Sequence, residues 1–158
     1  MGDSYHIKQQ FLCKNYCNYL IELFKNNQNL TIVHEMTTLI NLHDFMHLDP
    51  IKKLYGMISK HCIDNLSSDA FINYMQVVEW KSGSSQGEHF DFDFHPYTSI
   101  IYLSDDFDDG ETFVGNEKIK PESGKILSFA GNKTPHGVLE VKNGTRYTVP
   151  IWYKEGKF

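Results

Sequence analysis

The hydrophobic pattern changes its period near residue 70. Before that point, apolar side chains recur at helical spacing. Leu12, Tyr16, Leu20 and Leu23 share one face of a first helix, and Ile51, Leu54, Tyr55, Ile58 and Cys62 form the stripe of a second. Asp49 and Pro50 offer the second helix an N-cap and a first-turn proline. Beyond residue 70 the segments are short, rich in strand formers and divided by turn signals. They predict strands over 72–79, 89–95, 99–104, 111–114, 125–129, 138–141 and 146–153, separated by Asp-Gly at 109–110, Pro-Glu-Ser-Gly at 121–124, Gly-Asn at 131–132 and Asn-Gly at 143–144. Helices that bury one face need a flat surface to cover. Helices first and strands after therefore predict an α+β fold, a jelly-roll barrel with N-terminal helices packed against one sheet. With 158 residues the chain is expected to be a single domain, 1–69 as mainly helical support and 70–158 as the jelly-roll core. The glycines and serines of 81–87 suggest a mobile lid running into His89.

Composition narrows this picture only slightly. The hydrophobic share of 41% and charged share of 22% are those of an ordinary globular protein, and aromatics at 14% suit half-buried sheets. No apolar run approaches the ~20 residues of a membrane span, and no signal-peptide layout opens the chain. Three cysteines, Cys13, Cys17 and Cys62, cannot all pair, so a reducing cytoplasmic setting is expected, with Cys13 and Cys17 as small helix residues rather than a metal pair. A net charge of −5, with Asp105, Asp106, Asp108 and Asp109 clustered, argues against nucleic acid as partner. No membrane association is expected, and a monomer is favoured. The acidic cluster is read as a solvated turn rather than a calcium loop. His43 and His47 have helical spacing but no third ligand nearby, and His6, His34 and His61 have no partner in sequence.

The chemistry concentrates in residues 89–95, His-Phe-Asp-Phe-Asp-Phe-His. On a strand, Phe90, Phe92 and Phe94 would share one face and His89, Asp91, Asp93 and His95 the other. An imidazole and a carboxylate two residues apart can grip one metal ion from the same face. His136, after the turn Thr134-Pro135, is the best third ligand. Two histidines and one carboxylate on one side of an ion leave positions open, the arrangement of non-haem iron(II) oxygenases. Asp93 and His95 are the rival pair, and a supporting or substrate role is expected of them. Fourteen of the fifteen basic residues are lysine; the one arginine, Arg146, lies ten residues past His136. A chain so biased to lysine uses arginine where a planar fork matters, such as gripping a buried carboxylate. A common face for Arg146 and His136 would need a three-residue turn at 143–145 with Gly144 left-handed.

These residues resemble the double-stranded β-helix of the Fe(II)- and 2-oxoglutarate-dependent oxygenases, and most closely its prolyl 4-hydroxylase-like branch. The likeness runs over about residues 72–153. It rests on His89-x-Asp91, distal His136 and Arg146, on Ile101 through Val114 with its Gly110-Glu111-Thr112, and on Arg146 through Tyr153. It implies iron(II) as the metal and 2-oxoglutarate and O2 as cosubstrates, with ascorbate as a candidate reductant. It also implies Tyr102 and Thr112 beside Arg146 at the cosubstrate and Trp152 beside the site. The implied reaction hydroxylates a C–H bond, best matched by a prolyl residue of a peptide or protein, and yields succinate and CO2. Two departures stand out: collagen-type relatives carry lysine where this chain has Arg146, and the branch carries tyrosine where it has Trp80. Rival readings are an oxygenase with a non-prolyl substrate, a cupin-type metal-binding jelly roll without oxygenase chemistry, and a base-modifying oxygenase. The last would need a second arginine where Trp152 stands.

Overall fold

A computed structural model describes residues 4–156. In chain order they form β1 (Tyr5–Lys8), α1 (Lys14–Lys25), β2 (Ile32–His34), β3 (Thr37–Asn41), α2 (Asp49–Asn65), β4 (Ala70–Trp80), β5 (Gln86–His89), β6 (Tyr97–Tyr102), β7 (Asp108–Asp109), β8 (Thr112–Val114), β9 (Glu117–Ile119), β10 (Ile126–Phe129), β11 (His136–Val138), β12 (Val141–Lys142) and β13 (Arg146–Glu155). A seven-stranded sheet runs β1-β10-β6-β13-β4-β3-β2, a four-stranded sheet runs β5-β11-β8-β9, and β12 pairs with β7. The protein is thus mostly β-sheet with two α-helices. Residues 1–69 contribute three strands to the large sheet as well as the helices. The expected pattern missed these strands because they are short and flank the sheet: β2 is exposed at every position and β1 at three of four.

Period-two alternation sorts the seven-stranded sheet into two faces. Ile101 of β6 and Tyr147, Val149 and Ile151 of β13 join one apolar cluster with Leu20 and Phe24 of α1 and Ile51, Leu54 and Ile58 of α2. Each leucine or isoleucine fully buried there contributes about 2 kcal/mol. Their neighbours Ile100 and Tyr102 point the other way, packing with Val114 and Ile119 of the four-stranded sheet. Arg146, Thr148 and Trp152 share this second side and line a cavity. A bulge adjusts the far end of β4. Trp152 faces Tyr74 while Tyr153 faces Ile72, so Asn73 is the extra residue. Ala70, Ile72, Met75 and Val77 all stay in the helix-side core, and the Asn73 side chain is freed to reach His95.

The α2 stripe follows the expected positions, but α1 buries Cys17, Leu20 and Phe24, while Leu12 precedes the helix and Tyr16 and Leu23 are half-buried. Leu48, not Asp49, holds the N-cap position of α2, and Asp49 and Pro50 sit in its first turn. The carboxylate still faces the positive end of the helix. Cys17 and Cys62 are buried and Cys13 is exposed.

His61, read as partnerless from sequence, is buried with Nε2 3.0 Å from Ser128 Oγ. Ser128 Oγ lies 2.6 Å from Ser99 Oγ, which accepts from the Tyr153 hydroxyl at 2.8 Å. Burial, with the nearby charges of His6 and Lys8, pulls His61 down to about 4 from 6.5. Between those values the unfolded chain binds a proton that the folded chain refuses. The His61 contribution to stability is therefore full above about pH 6.5 and is progressively lost as pH drops towards about 4. Urea midpoints of metal-free protein at about pH 7 and pH 5 should differ for this reason, and the difference should shrink in His61→Gln. An unchanged difference would remove His61 as the cause.

Candidate active site

Three potential ligands converge at the end of β5. His89 closes that strand, His136 opens β11, and the two are register partners across the four-stranded sheet with ring centroids 4.4 Å apart. Asp91 follows two residues after His89. The ligating atoms of His89, Asp91 and His136 all lie within 4.8 Å of one another. His136 Nε2 is 3.2 Å and His89 Nε2 3.8 Å from Asp91 Oδ1.

The backbone decides which way each imidazole faces. His89 Nδ1 lies 2.8 Å from the Gly87 carbonyl, and His136 Nδ1 lies 2.9 Å from the Thr134 carbonyl. A carbonyl oxygen only accepts, so in the neutral ring Nδ1 carries the hydrogen and Nε2 keeps its lone pair. Two lone pairs and a carboxylate oxygen then aim at one point, which repels unless a cation sits there. This is the donor set and outer support of a 2-His-1-carboxylate centre, and it suits iron(II). Burial pushes Asp91 up, but with the two imidazoles protonated in place of a bound cation, the His136 bond and charge, the Thr98 bond and the His89 charge outweigh it and hold the carboxyl below its usual range.

Two residues that the sequence did not single out shape Asp91. The Thr98 hydroxyl donates to Oδ2 at 2.5 Å, and the Asp91 N–H donates to the Gly131 carbonyl at 2.9 Å. A Cβ on Gly131 would collide with Asp91 Oδ2 and stand 2.6 Å from Thr98 Oγ1. Glycine is needed for this close approach, although the sequence showed it only as part of a turn. Gly131→Ala should move the carboxylate and weaken iron(II) binding about 10- to 100-fold, as losing outer support of a ligand does. Calorimetric titration with iron(II) under anaerobic conditions checks this; parent affinity in the variant would contradict it.

The row 89–95 is not one strand. β5 ends at His89, His95 N–H donates to the Phe92 carbonyl in a turn, and Pro96 has no N–H to offer a ladder. Alternation therefore fails beyond His89, and Phe90, Phe92 and Phe94 are all exposed. Asp93 is exposed as well, and its carbonyl accepts from the Asn132 side chain. His95 is buried with Nε2 3.0 Å from Asn73 Oδ1, an orientation set by the β4 bulge. The structure does not bring Asp93 and His95 together as ligands. Trp152 is half-buried and stacks on Tyr74 with centroids 4.6 Å apart, at the cavity wall.

Arg146 lies deeper. It is 1% exposed, donates from Nη2 to Thr112 Oγ1 at 2.9 Å, and its guanidinium carbon lies 5.0 Å from the Trp80 ring centroid. Tyr102 and Thr112 are bonded to each other at 2.5 Å. Burial lowers the Arg146 pKa and raises that of Tyr102, each group opposing the other's shift. Among the described residues no carboxylate forms an ion pair with Arg146, and its Nε has no partner. Arg146 and the three converging ligands line one cavity of about 600 Å³. The expected hairpin at 143–145 is absent: β12 pairs with β7, β11 and β13 belong to different sheets, and the left-handed φ of 55° falls on Asn143 while Gly144 has a φ of 158°. Arg146 and His136 reach one cavity from two sheets, so no shared strand face is required. The 81–87 stretch is also pinned. Ser84 is buried and bonds to the Met36 carbonyl, while Gly83 and Ser84 exchange backbone bonds with Val141.

Residues 75–154, which include His89, Asp91, His136 and Arg146, match the family model of the 2OG-Fe(II) oxygenase superfamily. The chain belongs to that superfamily. The chain is 38% identical over 71 residues to prolyl 3-hydroxylase 2 of Mus musculus, covering 39% of this chain and 10% of the relative. It thus spans about a tenth of the length of the curated relatives it matches. Its fold is similar to that of a viral collagen prolyl hydroxylase from Paramecium Bursaria Chlorella virus-1, with a TM-score of 0.73 at 24% identity, covering 99% of this chain and 98% of that one. It is also similar to a prolyl hydroxylase from Trichoplax adhaerens solved with a hypoxia inducible factor peptide fragment, with a TM-score of 0.79 at 17% identity, covering 97% and 84%. At these identities the structural likeness establishes the fold of the chain and leaves its activity and substrate to be argued from the site. Among the described residues no helix is long and apolar enough to cross a membrane.

Proposed function

We propose that this chain is an Fe(II)- and 2-oxoglutarate-dependent dioxygenase that hydroxylates a prolyl residue in a peptide or protein, on a double-stranded β-helix formed by its two larger sheets. The observation that carries the cosubstrate is Arg146: a buried guanidinium with no counter-ion among the described residues, in the same cavity as the three candidate metal ligands. A buried charge is costly unless paired, so the site is built for a ligand that brings a carboxylate to that depth. His89, Asp91 and His136 would hold the iron from one side, leaving positions for the 2-oxo acid end. Arg146 would take the far carboxylate, with the Tyr102–Thr112 hydroxyl pair beside it. When bound, iron(II), 2-oxoglutarate and O2 supply the oxidising power for C–H hydroxylation and leave succinate and CO2. The protein's part is to fix the geometry and exclude water around the reacting carbon.

The cavity mouth supports a polypeptide substrate. Ile32, Val33, Met36, Phe90 and Phe92 are exposed apolar residues that line it from opposite sides, and Phe94 stacks on Phe92 at 5.2 Å. Such a rim suits an extended peptide carrying apolar groups, and the prolyl hydroxylase relatives point to proline as the residue presented. The test is a screen of proline-containing peptides with iron(II) and 2-oxoglutarate, read as a mass gain of one oxygen. The gain should vanish when proline is replaced by alanine. In Phe92→Ala the KM for the best peptide should rise several-fold while the KM for 2-oxoglutarate stays. Modification of the alanine peptide or of a non-peptide substrate alone would overturn the prolyl assignment.

A further inference from the structure

Among the described residues, three buried side-chain polar atoms have no partner: Trp80 Nε1, Arg146 Nε and Asn132 Oδ1. The first two belong together. Trp80 of β4 and Arg146 of β13 are register partners, they line the same cavity, and the guanidinium carbon lies 5.0 Å from the indole centroid. Both orphan atoms are donors with nothing to donate to, and an indole N–H can do nothing else. The hydroxyls beside them add to the imbalance. Tyr102 and Thr112 spend one hydrogen on the bond between them, and Thr112 Oγ1 also accepts from Arg146. One hydroxyl hydrogen of that pair is left over. The wall therefore presents at least three spare donors: Arg146 Nε–H, the Trp80 indole N–H and one hydroxyl.

We propose that Trp80 is a cosubstrate-binding residue whose indole N–H donates to the distal carboxylate of 2-oxoglutarate, making the pocket selective for 2-oxo acids that carry that second carboxylate. This rests on the assignment of Arg146 to the same carboxylate. A carboxylate only accepts and has about four lone-pair sites, so it can take every spare donor of this wall at once. A smaller 2-oxo acid without it leaves all of them buried and unpaired. The residue type matters as much as the position. Phenylalanine would keep a flat aromatic ring near the guanidinium and remove the donor, with some loss of ring volume.

The test compares parent, Trp80→Phe and Arg146→Ala by anaerobic calorimetric titration of the iron(II)-loaded proteins with 2-oxoglutarate and with pyruvate. Trp80→Phe should weaken 2-oxoglutarate binding about 10- to 100-fold, the scale of a hydrogen bond to a charged group, and leave pyruvate binding at the parent value. Unchanged 2-oxoglutarate affinity would overturn the proposal, and so would an equal penalty for both acids, which would place the donor at the metal end. Parent affinity in Arg146→Ala would instead sink the reading of the site itself, a separate outcome. If Trp80→Phe fails to fold, the parent protein still decides. With zinc(II) in the metal site and nitrogen-15 labelling, the indole N–H signals of Trp80 and Trp152 are told apart by the Trp152→Phe variant. The Trp80 indole proton should move downfield and exchange more slowly with water on adding 2-oxoglutarate. A signal that neither moves nor gains protection would overturn the proposal.

Discussion

Arg146→Ala should abolish useful 2-oxoglutarate binding, raising the Kd by about 30- to several thousandfold, the ~2–5 kcal/mol of truncating one member of a buried charge pair. The cosubstrate's carboxylate would enter a wall that still holds the Tyr102–Thr112 pair but no cation. Arg146→Lys should cost less, about 10- to 100-fold, because an ammonium is a point charge that cannot reproduce the planar fork. Iron(II) affinity measured without 2-oxoglutarate should barely move in either variant. The same reasoning predicts an opposite effect on stability. Without ligand, Arg146 is a buried charge with no counter-ion among the described residues, so Arg146→Met should unfold no more easily than the parent. Titration calorimetry and thermal unfolding check the two halves. A lysine variant with parent affinity would remove the argument for the fork, and a strongly destabilised methionine variant would give Arg146 a structural role.

The second large effect belongs to Asp91. Asp91→Ala removes the one carboxylate of the three-ligand set and should lower iron(II) affinity more than 100-fold, on the order of 3 kcal/mol or more, with turnover falling to background. The fold should survive. The Thr98 hydroxyl loses its acceptor, which costs about 1 kcal/mol. Asp93→Ala is the matched control: Asp93 is exposed, two residues away, and should leave iron binding as it is. Loss of metal in Asp93→Ala with retention in Asp91→Ala would reverse the assignment.

Much of the site was legible because its chemistry is carried by residue types that are costly to bury without purpose. His89-x-Asp91, a later histidine and a single arginine among many lysines are such residues, and the fold brings His89, Asp91, His136 and Arg146 to one cavity. What sequence could not give is the geometry that depends on where strands stop. Alternation assigned Phe90, Phe92 and Phe94 a common face only on the assumption that β5 continued; Pro96 was the available sign that it did not. Gly131 and Thr98 act through a close approach to Asp91 between segments about forty and seven residues from it, and no local pattern reports such a contact. Among the elements, the long amphipathic helix α2 and the ten-residue β13 were legible from periodicity. The short strands β1, β2 and β3 were not: long-range pairing with β10 and β4 places β1 and β3, and the exposed edge strand β2 is held only by its hairpin with β3.

On the proposed function, this protein couples 2-oxoglutarate and O2 to hydroxylation at an iron held by His89, Asp91 and His136. The most direct measurement supplies iron(II)-loaded protein with 2-oxoglutarate, a proline-containing peptide and oxygen-18-labelled O2, then follows the label by mass spectrometry. Each turnover should place one labelled atom in succinate and one in the peptide, and both signals should disappear in Asp91→Ala. Recovery of 2-oxoglutarate unchanged from the fully loaded parent protein, with no labelled succinate, would contradict the account.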